Sequence, residues 1–251
     1  MISKSQIKYI RSLYSKKQRE ADQCFIAEGF KMAQEIIREK PELITELFCT
    51  EDFMNENESS LLSKKIKFTP ISEKELSQIS QLSSPNQVLV VCRNDTNSTI
   101  STNFNDQFSF YLDDIRDPGN LGTIIRICSW FGIKELFCSP NTVELYNPKC
   151  IQSTMGAFLR VNVYYRELAD LIKEGHIKNV YATEMKGKNL YKEELKSGLI
   201  VIGNEANGIG ELTKKLSNHS ISIPSAEGNT ESLNAAIATS IIASEIFRRG
   251  L

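Results

Sequence analysis

The chain is poor in the residues that build metal centres and acid–base sites. Its 251 residues hold two histidines, His176 and His219, and one tryptophan, Trp130. The six cysteines, Cys24, Cys49, Cys92, Cys128, Cys138 and Cys150, are nowhere closer than ten positions apart, so no CxxC pair exists. Zinc sites want closely spaced Cys or His ligands, and no metal is expected. No apolar run approaches the roughly 18 residues of a membrane helix. The opening MISKSQIKYIRSLYSKKQRE has no apolar h-region, so the expectation is a cytoplasmic chain with reduced thiols and no membrane partner. Net charge is lacking as well. Thirty Lys plus Arg against 31 Asp plus Glu leave a formal charge of -1, so no global field would draw in a polyanion.

What is present is an ordinary globular balance, 41% hydrophobic and 24% charged, which excludes a disordered polymer. The length suits one large domain or two smaller ones. Neutrality hides an asymmetry: residues 1–19 contain Lys4, Lys8, Arg11, Lys16, Lys17 and Arg19 and no acid. Ile7, Ile10, Leu13 and Tyr14 recur there at helical spacing. The cations decorate either a plain solvated helix face or an electrostatic footprint for a polyanion.

The first half alternates in type. FIAEGFKMAQEIIRE predicts a helix over 25–39, with Phe30, Ala33, Ile36 and Ile37 inward and Pro41 closing it. ELITELFCT and KIKFTP follow as strands, EKELSQIS as a helix and QVLVVCR as a strand. The polar stretch NDTNSTISTNFNDQ marks a linker over 94–107, dividing a domain over 1–93 from one over 108–251. The second half alternates strands and helices again: FSFYLDDI, LGTIIRICSWFG, ELFCS, a helix near 147–157, LRVNVYY, ELADLIKEG, NVYATEM, LIVIGNE, SISIPS and a last helix over about 231–249. The strands are apolar on consecutive positions, as strands covered on both faces should be. A mostly parallel α/β sheet is the expectation.

Three clusters at strand ends break the local rules. In DDIRDPGNLG, Pro118-Gly119 makes a tight turn and Asn120 is placed to cap the following helix. Arg126 then sits among Ile124, Ile125 and Ile127, where it must reach the surface or find a partner. In IGNEANGIG, around Glu205, the glycines suggest close approach of backbone to a ligand or another chain segment. It is not a phosphate-binding P-loop, because Ile209 stands where Lys belongs. In ISIPSAEGNTESLN, Pro224 ends an interior strand, and Ser232 and Asn234 can cap the last helix. In open α/β sheets ligands bind outside the carboxyl ends of the strands.

DDIRDPGNLGTIIRICSWFG, LIVIGNEANGIG and ISIPSAEGNTESLNAAIA, in that order, resemble the three motifs of the SpoU-type RNA ribose 2′-O-methyltransferases of the SPOUT superfamily. The first half is similar to the ribosomal-protein-type substrate-binding domain that often precedes this catalytic domain. The resemblance implies a catalytic sheet with a C-terminal trefoil knot, S-adenosylmethionine bound in the knot, and a homodimer through the knot region. It implies Asn120, Arg126, Glu205, Ser232 and Asn234 as the catalytic polar set. Cofactor contacts would come from Gly203, Asn204, Gly208, Ile223, Pro224 and Leu233. The RNA contacts would include the basic N-terminal residues. The chain departs from the usual pattern at Ser225, at Ala235-Ala236, and in AEGNT, which is a residue longer. These changes touch the outline of the cofactor pocket and leave the polar set intact.

The implied reaction is methyl transfer to a ribose hydroxyl of structured RNA, ribosomal RNA ahead of transfer RNA. A non-catalytic RNA-binding protein of the same fold is the first alternative, and all five polar positions being filled argues against it. A nucleotide-dependent enzyme is the second, disfavoured by the missing P-loop Lys.

Overall fold

The computed structural model describes residues 2–95, 99–100, 103–104, 106–226 and 232–250. The chain divides into two compact units, Met1–Ser98 with Tyr146–Leu159, and Thr99–Leu145 with Arg160–Leu251.

The first unit begins with α1 (Lys4–Ser12), which a Ser3–Gln6 capping box starts. There follow α2 (Lys16–Asp22), β1 (Cys24–Glu28), α3 (Phe30–Glu39), β2 (Ile44–Cys49), α4 (Glu51–Ser63), β3 (Phe68–Pro70), α5 (Glu73–Ile79) and β4 (Val88–Arg93). The sheet order is β1-β4-β2-β3, with β2 and β3 parallel and the other pairs antiparallel. Ile10, Leu13, Ile26, Phe48, Leu76 and Leu89 share one core under α1 and α5. The helix expected over 25–39 is corrected here. Residues 24–28 form a strand against β4, and the helix starts only after Gly29, whose φ of 99° suits glycine.

In the second unit come β5 (Phe108–Leu112), α6 (Pro118–Trp130) and β6 (Glu135–Cys138). The chain then lends α7 (Pro148–Thr154) to the first unit, where Phe25 stacks on Tyr146 at 4.6 Å and meets Phe158 edge-on at 5.7 Å. Sequence alone groups that helix with its neighbours in the second half. It continues with β7 (Asn162–Tyr165), α8 (Leu168–Glu174), β8 (Val180–Asn189), β9 (Gly198–Ile202), α9 (Glu211–Leu216), β10 (His219–Ser222) and α10 (Ala235–Arg249). The six strands are all parallel in the order β10-β8-β9-β5-β6-β7, and the central β9 and β5 are buried at every position, in keeping with a doubly covered parallel sheet. Within the stretch 94–107, Phe104 is 3% exposed and lies 5.5 Å from the Phe137 ring, so it is a core residue of this unit.

Candidate functional site

The site gathers where β9, β10 and α10 meet. A cavity of about 790 Å³ lies there, within the size range of small-molecule sites. Gly203, Asn204, Gly208, Ile223, Pro224 and Leu233, the six positions expected to hold a cofactor, all line it, together with Glu205 and Ser232. Leu190, Ile202, Ile221 and Ile242 give it apolar walls. Glu184 brings in a second carboxylate, paired to Lys214 at 3.1 Å and accepting from Ser220 Oγ at 3.0 Å. Apolar walls suit a purine, and the polar backbone and side-chain groups around Gly203–Gly208 and Ile223–Ser225 suit its edges and the ribose, so these residues fit S-adenosylmethionine. The stretch 227–231, which contains most of the lengthened AEGNT loop, lies outside the described residues.

The loop after β9 closes on itself. Asn204 and Gly208 exchange two backbone hydrogen bonds of 2.9 Å. A Cβ on Gly203 would sit 2.4 Å from the carbonyl carbon of Gly208, so the turn admits only glycine there. Gly203 therefore serves close approach of the chain to itself, while Gly208 supplies a left-handed φ of 67° in open space.

Three of the polar residues are joined. The Asn120 amide nitrogen donates to Glu205, and its oxygen accepts from Asn234 Nδ2 at 2.9 Å. Asn234 caps α10 as expected, its Oδ1 accepting from Ala236 N at 2.9 Å and Ile237 N at 3.3 Å. Asn120, by contrast, is not a cap. Asp117 takes that role, its Oδ1 accepting from Asn120 N at 2.9 Å with Pro118 at the first helical position, which frees the Asn120 side chain. Ser232 is exposed on the cavity rim. Arg126 stands apart from this network. It is exposed on α6 and makes no ion pair or hydrogen bond among the described residues.

Of the basic N-terminal residues, Lys4, Lys8, Arg11, Lys16 and Lys17 are exposed. Arg11 Nε donates to the Gln78 carbonyl at 2.6 Å, and Lys16 lies 3.6 Å from Glu20. Arg19 is a correction: it is 3% exposed, and its guanidinium donates to the Leu13 carbonyl at 2.8 Å. It braces the turn between α1 and α2 instead of facing a phosphate.

Cys49 and Cys128 are buried thiols. Burial pushes the Cys49 thiol up to about 11 and the Cys128 thiol up to about 12, so both stay protonated near neutrality. No group of His, Cys, Asp and Glu able to hold a metal is present among the described residues. No helix among them is long and apolar enough to cross a membrane. Residue types and spacing alone gave no role to Asp113, Asp114, Glu184 or Lys214. The two aspartates stood in the first cluster, but their partners lie about 90 or more positions away.

A parallel α/β unit with a nucleotide-sized cavity at its strand ends and this polar set defines a methyltransferase of the SpoU type. Residues 107–244 match the SpoU rRNA Methylase family, and the chain belongs to it. Residues 4–90 match the MRM3-like substrate binding domain. The chain is 25% identical to the 23S rRNA (guanosine(2553)-2′-O)-methyltransferase RlmP of Bacillus subtilis, over 94% of this chain and 93% of that one. It is 30% identical to the 23S rRNA (guanosine-2′-O-)-methyltransferase RlmB of Coxiella burnetii, over 55% of this chain and 57% of that relative. The AdoMet-bound rRNA methyltransferase of Sinorhizobium meliloti superposes with a TM-score of 0.84 at 25% identity, covering 100% of this chain and 97% of that one.

Proposed function

We propose that the protein transfers a methyl group from S-adenosylmethionine to a ribose 2′-hydroxyl of ribosomal RNA. The observation that carries this is the convergence of three distant motifs: Asn120, Glu205 and Asn234 are hydrogen-bonded in series beside a cavity lined by all six expected cofactor positions. The cofactor supplies an electrophilic methyl on a sulfonium with its leaving group already in place. The chain must hold the hydroxyl for in-line attack and stabilise it as its proton leaves. Arg126 presents a planar guanidinium with five N–H donors. As an exposed cation it acts on the developing alkoxide or clamps an RNA phosphate. Asn120 ties the helix that carries Arg126 to Glu205 and Asn234 and so sets its direction. The RlmP and RlmB relatives, whose names specify 23S rRNA, favour ribosomal over transfer RNA.

The same reading makes the protein a homodimer with a trefoil-knotted second unit. In support of the dimer, α6 and α10 expose large apolar side chains, Trp130 at 84%, Phe247 at 66% and Ile237 at 53%, which an interface would cover. In support of the knot, β9 lies between β8 and β5, and Gly203–Gly208 line one cavity with Ile223, Pro224, Ser225, Ser232 and Leu233.

The test pairs ligand and product. S-adenosylhomocysteine should raise the melting temperature and ATP should not. Labelled methyl should appear on ribose in ribosomal RNA from a strain lacking this protein, and not in transfer RNA. Stabilisation by ATP alone would reverse the assignment, and methylation of transfer RNA alone would move the substrate.

A further inference from the structure

A second cavity of about 360 Å³ borders the first. Asn204, Asn207 and Gly208 line both, so the loop Gly203–Gly210 is the partition between them. Ile209, 4% exposed in the core with Tyr111, Leu168 and Val201, anchors the loop by packing at one point; the rest, with open space on each side, needs polar bonds to fix it. Its internal bonds, between Asn204 and Gly208 and from Ala206 N and Asn207 N to Asn204 Oδ1 at 2.9 and 3.1 Å, set its shape but not its place.

Besides the Ile209 side chain, two adjacent residues after β5 set its place. Asp113 Oδ2 accepts from Gly210 N at 2.8 Å, at the far end of the loop. The Asp114 carbonyl accepts from Asn204 Nδ2 at 2.6 Å, at the near end. Asp114 does this from a left-handed backbone with φ 58°, a costly conformation that Asp tolerates better than most residues. Its own N–H goes to Ser139 Oγ at 2.9 Å, and its carboxylate pairs with Arg116 at 3.0 Å. Backbone outliers held by surrounding bonds concentrate where function needs them.

We propose that Asp113 and Asp114 are positioning residues of the cofactor site. They hold the partition so that Glu205 meets Asn120 and the larger cavity keeps its width. This rests on the reading of that cavity as the S-adenosylmethionine site.

Calorimetric titration of the full-length protein with S-adenosylhomocysteine tests it with four variants. Asp113→Asn keeps an acceptor oxygen for Gly210, and Asp114→Gly keeps the carbonyl and accepts the left-handed backbone. Both should bind within about threefold of the parent. Asp113→Ala removes the acceptor, and Asp114→Val makes the backbone conformation costly; both should bind about tenfold or more weakly. Amide exchange across 204–210 without ligand should quicken in those two variants, while β5 and β6 keep parental protection. Parental affinity in Asp113→Ala and Asp114→Val, or protection lost evenly through the unit, would overturn the proposal. Asp114→Gly binding as weakly as Asp114→Val would overturn the assignment to the backbone. A parent that fails to bind S-adenosylhomocysteine would instead overturn the cofactor reading.

Discussion

Asn234 donates its side-chain N–H to the Asn120 side-chain oxygen at 2.9 Å, 114 positions away in the chain. With the bond from Asn120 to Glu205, one carboxamide reads the second and third motifs at once. Asn120→Asp replaces the donor facing Glu205 with a second carboxylate. Single-turnover methyl transfer should fall by about 10²-fold, in the range of losing one placed donor, while S-adenosylhomocysteine affinity changes less than a few fold. Transfer at the parental rate would remove Asn120 from the chemistry.

Arg126 is exposed and makes no bond among the described residues, so the fold does not depend on it. Arg126→Ala should leave unfolding stability within about 0.5 kcal/mol of the parent. It should leave cofactor affinity unchanged and abolish most methyl transfer. Near-normal transfer with intact binding would sink its assignment.

The basic N-terminus separates into two kinds of cation. Replacing exposed Lys16 and Lys17 with Gln should weaken RNA binding and flatten its log–log salt slope by about one unit per lost phosphate contact, with cofactor affinity untouched. Arg19→Gln should instead destabilise the protein by about 1–3 kcal/mol, because it deprives the Leu13 carbonyl of a buried donor. A salt titration of RNA affinity beside urea unfolding checks both. Parallel salt slopes for parent and double variant would return the lysines to the status of a solvated face.

Glu245 locks the end of α10. It is 6% exposed and accepts from Arg248 Nε at 2.7 Å and Arg249 Nε at 2.6 Å. Arg249 also donates to the carbonyls of Leu190, on the cavity wall, and Glu193. Hydrogen bonds from Arg248, then Arg249, hold the Glu245 carboxyl at about 2, below the ordinary 4.5. A depressed carboxylate stabilises the fold above its unfolded pKa and loses that contribution as pH falls through the folded one. The stability gap between parent and Glu245→Gln should therefore be constant above the ordinary carboxylate range and close as pH falls to about 2. Urea unfolding across pH measures it. A gap that persists at the acid end would mean the carboxylate charge is not what matters.

Trp130 and Phe247 are exposed apolar side chains in the last turns of α6 and α10. Trp130→Glu with Phe247→Glu should give a folded monomer in sedimentation, since neither side chain is buried in the single chain. A dimer unchanged by both would place the interface elsewhere.

Local sequence determined a good deal of this protein. Apolar runs alternating with helical segments marked the second sheet as covered on both faces and pointed to parallel pairing, whereas the equally apolar β4 is antiparallel in the first unit. Turn and cap residues located the three strand ends where the site lies. Tertiary structure decided what depends on partners far along the chain. Residues 24–28 are a strand because β4 pairs with them, although their apolar spacing reads equally as the start of a helix. Helix α4 left little trace, since its buried stripe of Phe53 and Leu61 is interrupted by Asn57, whose amide is satisfied by Phe53 O and Gln34. Local context points the wrong way for two arginines: Arg19 sits in a polar run yet is buried against a carbonyl, and Arg126 sits among isoleucines yet is exposed. Asn120 became a site residue because Asp117 took the cap, and Asp113 and Asp114 gained their role only when folding brought Gly210 and Asn204 to them. Hydrogen bonds act over about 3 Å in space and carry no trace of their partners in local composition, so only the folded chain reveals them.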